Sequence, residues 1–218
     1  MPTHNREDET LDRLLGYRDV GFYIDVGAND PLTTSNTHHL YERGWRGIDI
    51  EPMPHFAEKC RAVHPENIVF EGVASSKNGT AKLFCFRQHE NSTTSAAMAS
   101  DLVLAGKTLS IELEVQSTSL NSLLSQNINF GPFVKNKLTI DFVSIDTEGS
   151  ENDVFAGFDV SRWKPTIICV EATFPTDFSL RTDGEISANL TANNYDLVHF
   201  DGCNSWFRRK PLISETTN

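Results

Sequence analysis

The hydrophobic positions of this chain fall into short solid blocks separated by polar, amphipathic stretches. "FYIDV" (22–26), "WRGIDI" (45–50), "NIVFEGVA" (67–74), "IDFVSID" (140–146) and "TIICVEA" (166–172) are apolar over most of their length, as expected of strands covered on both faces. Between them, "SNTHHLYERG" predicts a helix with Ser35 as N-cap, Leu40 and Tyr41 packing inward and Gly44 as its stop. "HFAEKCRAV" predicts a second helix that ends before Pro65. "EGSENDVFAGF" opens a short helix in which Ser150 and Asp153 have capping-box spacing, and "GEISANLTANN" is a further, polar helix. Strands and helices in alternation define an α/β fold with a mostly parallel sheet.

Two regions depart from that alternation. Ala81–Phe86 and Ile111–Ser117 read as additional β segments, so residues 80–118 form a small β insertion before the fourth long strand. Their connection, "RQHENSTTSAAMASDLVLAGKT", fits either a functional lid or a disordered loop. At the other end, "YDLVHF" and "SWFRRK" are separated only by Asp201, Gly202, Cys203 and Asn204. A turn that short returns the chain antiparallel, because a parallel crossover needs a dozen residues or more. One reversed strand is therefore expected at the C-terminal end of the sheet.

Leu11, Leu14 and Leu15 share a helical face, which makes residues 1–19 a helical extension. With 218 residues and 39% hydrophobic content, the chain is expected to form one domain over 1–218. A formal net charge of −11 excludes the broad basic surface needed for nucleic acid or an anionic membrane. The polar start "MPTHNREDET" lacks the features of a secretory signal, and no apolar run approaches the roughly 18 residues of a membrane span. Cys60, Cys85, Cys169 and Cys203 are scattered without a Cys-x-x-Cys pair and read as reduced packing residues of a cytoplasmic protein.

Ligands of open α/β sheets bind beyond the carboxyl ends of the strands. Here those ends carry Asp25, Gly27, Ala28 and Asn29, then Glu51 and Pro52, then Val73 and Ala74, and finally Asp146, Glu148 and Glu171. The glycine turn permits close backbone approach, and its amides are expected to meet an anionic group. Glu51, 26 residues after Asp25 (51 − 25), is placed to accept hydrogen bonds from ribose hydroxyls. Neither Gly-x-Gly-x-x-Gly nor a Walker A sequence is present, which turns the reading from a dinucleotide to S-adenosylmethionine, whose amino-acid end carries a cation and a carboxylate. Asp25 then faces the ammonium. A Rossmann-type nucleotide-dependent oxidoreductase is the alternative that this glycine pattern disfavours, and a non-catalytic cofactor-binding partner in a glycan-assembly complex is another.

"IDVGANDP", "YERGWRGIDIEPMP", "LEVQSTSLNSLL", "DFVSIDTEGSENDVFAGFD", "VEAT" and "FDGCNSWF" together resemble the FkbM-type methyltransferases, particularly the branch associated with polysaccharide and glycan pathways. The resemblance covers roughly residues 20 to 210. It implies a Rossmann-like class I methyltransferase fold with a seven-stranded sheet, S-adenosylmethionine as donor, and O-methylation of a sugar hydroxyl on a small-molecule or glycan acceptor. Gly27, Asn29, Glu51 and the Val73/Ala74 turn are cofactor contacts on the same ground. The chain departs from that branch at "STTSAAMAS" (92–100), which lacks a glycine, and at Asp49.

Methyl transfer to a hydroxyl calls for a general base. Asp146 is the first candidate, and the alternative is that it binds the cofactor's ammonium or caps the next helix. With Glu148 and Glu171 it forms an acidic group that can raise one carboxylate's pKa or hold a divalent cation; no residue is assigned to a metal. His38, His39 and His199 are further possible bases, Asn204 a possible acceptor contact, and Trp45, Trp163 and Trp206 packing residues.

Overall fold

The computed structural model describes residues 7–126, 139–174 and 177–211. In chain order its first half runs α1 (Glu7–Leu15), β1 (Phe22–Val26), α2 (His38–Glu42), β2 (Arg46–Glu51), α3 (Pro54–Val63), β3 (Ile68–Glu71), β4 (Val73–Ala74), β5 (Gly79–Phe86), α4 (Ala96–Leu104), β6 (Leu109–Thr118) and α5 (Leu120–Gln126). It continues through β7 (Phe142–Ile145), α6 (Glu151–Ala156), α7 (Val160–Trp163), β8 (Ile167–Glu171), β9 (Thr173–Phe174), β10 (Asp177–Arg181), α8 (Gly184–Ala192), β11 (Tyr195–Phe200) and β12 (Asn204–Arg209). Residues 1–6 of the expected N-terminal extension lie outside the described residues.

The apolar blocks form a seven-stranded sheet in the order β11-β12-β8-β7-β1-β2-β3. β8, β7, β1, β2 and β3 pair in parallel, whereas β12 runs antiparallel to both β8 and β11. Alternation along each strand divides the core between the two faces. Ile24, Val143, Ile168 and Phe207 pack on one side, and Tyr23, Phe142, Cys169 and Trp206 pack on the other. α1 covers the second face with Leu11, Leu14 and Leu15, and is tied down by Arg43 donating to Asp12 and by Arg208 donating to the Leu14 carbonyl. The reversed hairpin turns at Asp201, whose Oδ1 accepts the amides of Cys203 at 3.0 Å and Asn204 at 2.8 Å.

Four local expectations are corrected. "NIVFEGVA" is not one strand: it breaks at Gly72, where a Cβ would lie 2.5 Å from the Gln116 carbonyl oxygen. The chain steps there from the main sheet to β4, which pairs in parallel with β6 in a separate sheet of order β4-β6-β5. The β5–β6 connection is not a disordered loop. It holds a 3-10 turn at His89–Asn91 and the helix α4, whose Ser95 cap accepts the Met98 amide, and Met98, Ala99 and Leu102 pack on Phe86. Finally, no capping box forms at α6, because Ser150 Oγ pairs with Thr94 Oγ1 at 2.7 Å while Asp153 accepts the Ser76 amide. The N-cap of α2 is Thr37, without a side-chain cap bond, and not Ser35, whose Oγ accepts the amides of Thr37 and His38 at 3.1 and 3.0 Å ahead of the helix. All four cysteines are free.

Candidate active site

Parallel strands deliver their carboxyl ends to one edge of the sheet, and the site is built there. The β1 strand ends in Gly27, with φ +86°, packed so tightly that a Cβ would lie 1.8 Å from the Asp146 carbonyl oxygen. The Asp146 amide in turn donates to the Val26 carbonyl at 3.0 Å. β1 and the loop after β7 are thus locked together at the point of closest backbone approach.

The turn amides do not point outward as anion donors. Those of Gly27 and Ala28 donate to the Ile50 carbonyl at 3.0 and 3.1 Å, that of Asn29 to Glu51 Oε2 at 2.8 Å, and that of Asp30 to Asn29 Oδ1 at 2.8 Å. Asn29 adopts the left-handed conformation, φ +50°, that this arrangement requires. The expectation that these amides meet a ligand carboxylate is therefore corrected: the turn is satisfied within the protein. Glu51 does the binding together, because its other oxygen accepts the Met53 amide at 2.7 Å. Burial raises the Glu51 carboxyl to about 7 against the opposing effect of those two amides. Asp25 is also buried. Its Oδ2 accepts from Thr37 Oγ1 at 2.7 Å, and burial, reinforced by Asp49, Asp146 and Glu51, lifts it to about 7.

Beyond β7 and β8 lie Asp146, Glu148 and Glu171. One carboxylate oxygen from each falls within 4.8 Å of the other two. Glu151 organises this loop: its Oε1 accepts from the Thr147 amide at 2.9 Å, from Thr147 Oγ1 at 2.9 Å and from the Gly149 amide at 3.1 Å. Glu148 itself is left-handed, φ +56°. Burial, then the neighbouring Glu151 and Glu7, raise Asp146 to about 7, with a hydrogen bond to Glu171 opposing. Burial and the mutual repulsion of the group hold Glu148 and Glu171 well above the ordinary carboxylate range. Three carboxylates this close cannot all be charged without a cation or proton among them.

An open cavity of about 450 Å³ lies over these strand ends. Asp25, Gly27, Ala28, Asn29, Glu51, Pro52, Val73, Ala74, Asp146, Glu148 and Glu171 all line it, so the structure brings every one of them together. Asn204 lines it too, whereas His38, His39 and His199 do not. His38 instead continues a buried chain in which its Nδ1 lies 3.1 Å from His64 Nε2, and His64 Nδ1 lies 3.0 Å from Asp49 Oδ2. Burial lowers the pKa of both His38 and His39. Trp45 and Trp206 are core residues, and Trp163 packs against the core.

Sequence reasoning missed two parts of the wall. Glu7 enters from α1, 3.3 Å from Asn204 Nδ2, and nothing in the primary pattern marks it. His89, Thr94 and Lys107 enter from the β5–β6 connection, whose polar composition concealed its order.

A mostly parallel seven-stranded sheet with an antiparallel strand inserted next to its edge, and a cavity over the carboxyl ends, is the architecture of the methyltransferase fold. The model of the methyltransferase FkbM domain matches residues 25–197, and the chain belongs to that family. The crystal structure of methyltransferase FkbM from Methylobacillus flagellatus KT is similar in fold, with a TM-score of 0.51 and 13% identity over 87% of this chain and 44% of that one. The chain thus spans less than half the length of that solved relative. The delta-N METTL16 methyltransferase domain aligns with a TM-score of 0.40 and 10% identity over 94% of this chain and 82% of that one. None of the curated proteins matches the sequence. Among the described residues, no helix is long and apolar enough to cross a membrane.

Proposed function

We propose that this protein is an S-adenosylmethionine-dependent O-methyltransferase acting on a sugar hydroxyl, and that residues 1–218 work as one catalytic domain. The observation that carries the cofactor reading is the charge of the cavity. Seven carboxylates, Glu7, Asp25, Glu51, Glu90, Asp146, Glu148 and Glu171, line it against one lysine, Lys107, among the described residues. A wall of that sign favours a ligand bearing a sulfonium and an ammonium and rejects a pyrophosphate. The internally satisfied turn argues in the same direction, since a dinucleotide needs free amides at this position. These two features weigh against the oxidoreductase alternative.

When bound, the cofactor supplies an electrophilic methyl group. The chain's residues do the rest. Glu51, already fixed by two amides, has lone pairs left for ribose hydroxyls. Asp25 supplies negative charge from the floor of the cavity. Asp146 is the group for the acceptor's proton: its pKa near 7 matches a base working at neutral pH, and Glu171, protonated there, donates a hydrogen bond that fixes it. The sugar reading rests on the motif resemblance and is supported by the polar, uncharged side chains of Asn91, Thr94 and Asn204 on the cavity wall.

Calorimetric titration with S-adenosylhomocysteine tests the reading, with NAD in parallel. Micromolar binding of the former that is lost in Glu51→Ala is expected. No binding, or preference for NAD, overturns the assignment.

A further inference from the structure

The group Asp146, Glu148 and Glu171 has more negative charge than protein donors to meet it. One oxygen from each lies within 4.8 Å of the others. An acidic cluster alone indicates nothing, but Glu148 adds a separate observation. Its Oε2 is shielded from solvent and has no hydrogen-bond partner among the described residues. A shielded carboxylate oxygen without a donor is a position that natural structures fill with something. Lys107 is the cation that most favours ionisation of Glu148, yet its Nζ is engaged by Gln88 Oε1 at 2.9 Å. The other neighbours of Glu148, Asp146, Glu151 and Glu90, are all acidic.

We propose that Asp146, Glu148 and Glu171 together bind a hard divalent cation of the Mg²⁺, Mn²⁺ or Ca²⁺ class. The donor set is all oxygen, with neither imidazole nor thiolate, which selects these ions over zinc or copper. Ligand oxygens at roughly 2.0–2.6 Å from such an ion span distances of the kind seen here. Each residue need supply only one oxygen, which leaves the second oxygen of Asp146 for a proton. The consequence rests on the methyltransferase reading: the ion holds an oxygen of the acceptor beside the cofactor and makes its hydroxyl a stronger acid.

The test is titration of the full chain, stripped with a chelator, with Mn²⁺ alone, followed by calorimetry and by the electron paramagnetic resonance of the free ion. One site per chain is expected, with a dissociation constant at or below about 10⁻³ M, weakened at least tenfold (about 1.4 kcal/mol) in Glu148→Gln. Glu171→Gln gives the same loss and stands in if the first variant fails to fold by circular dichroism. Absence of binding by Mn²⁺, Mg²⁺ and Ca²⁺ at millimolar concentration overturns the inference, as does unchanged binding in both variants. S-adenosylhomocysteine titrated into the same preparation separates the two claims. Its binding without the ion leaves the cofactor reading standing and the ion site refuted, and the reverse result does the opposite.

Discussion

At the scale of single residues, the site depends on Gly27, where no side chain fits, and on Glu51, which accepts two backbone amides. Gly27 combines a left-handed φ with a backbone carbonyl where its Cβ would be, so Gly27→Ala must separate the β1 turn from the loop bearing Asp146. A clash with main chain cannot be relieved by a rotamer change, and a loss of about 3 kcal/mol or more is expected. Urea denaturation checks this, and a variant within 0.5 kcal/mol of the parent, roughly the scatter of neutral surface changes, would show that the close approach is not a constraint. Glu51 has a double role. Besides its proposed ribose contact, it holds Asn29 and Met53 by their amides, so Glu51→Ala leaves two donors without their acceptor. A destabilisation of about 1–3 kcal/mol accompanies the loss of cofactor affinity, and the same denaturation series reads it.

At the scale of elements, α4 forms the outer wall support of the cavity, because the segment before it carries His89 and Thr94 and the turn after it carries Lys107. Its N-terminus depends on Ser95, whose Oγ accepts the Met98 amide at 3.2 Å. Ser95→Ala is expected to cost about 1 kcal/mol and to raise hydrogen exchange in residues 96–104 before the main sheet is affected; unaltered exchange there would count against the cap's role. The same region shows what the sequence could not reveal. Strands buried on both faces announce themselves as solid apolar runs, and a parallel order brings their carboxyl ends together without further information. That is why Asp25, Glu51, Asp146, Glu148 and Glu171 were legible as one site. Gly72 was not legible as a strand break, since what forbids continuation is a carbonyl from β6, far away in sequence. The Ser150 and Asp153 spacing was legible but misleading, because Thr94 and Ser76 offered competing partners. α4 is short and Ser/Ala-rich, and only its packing on Phe86 gives it a face. The leucines of α5, Leu120, Leu123 and Leu124, carried a helical period within the motif "LEVQSTSLNSLL" that went unread as structure. Glu7 reaches the cavity only because Leu11, Leu14 and Leu15 dock α1 on the sheet.

At the scale of the whole molecule, the buried carboxylates set an unusual dependence of stability on pH. Asp25, Glu51 and Asp146 rise to about 7, and Glu148 and Glu171 are held well above the ordinary carboxylate range, all chiefly through burial. A carboxylate whose folded pKa lies above its unfolded value binds its proton more tightly in the folded state. Its stabilising contribution is complete below the unfolded value near 4 and is lost as pH rises through 7. His38 and His39 act in the opposite sense, since their lowered values make the folded state lose stability as pH falls below about 6.5. Asp30, lowered through Lys59 and the Leu32 amide, and Asp153, lowered through its serine partners, lose their contributions only below about 4. Burial raises Asp141 as well, and six carboxylates against two histidines favour mildly acidic solution, with relief of the −11 net charge working in the same direction. The melting temperature is therefore expected to be higher at pH 5.5 than at pH 8 by about 5 °C or more, which for a chain of this size corresponds to only about 2 kcal/mol. Saturating S-adenosylhomocysteine, whose ammonium offsets the charge of the cavity, should flatten the slope, because a ligand that prefers the ionised site stabilises most where that site is ionised. Thermal melts across pH 5.5 to 8, with and without the ligand, decide the matter. A melting temperature that climbs with pH would mean that these carboxylates are ionised in the folded protein at neutral pH, and the proton-sharing arrangement assigned to the strand ends would have to be abandoned.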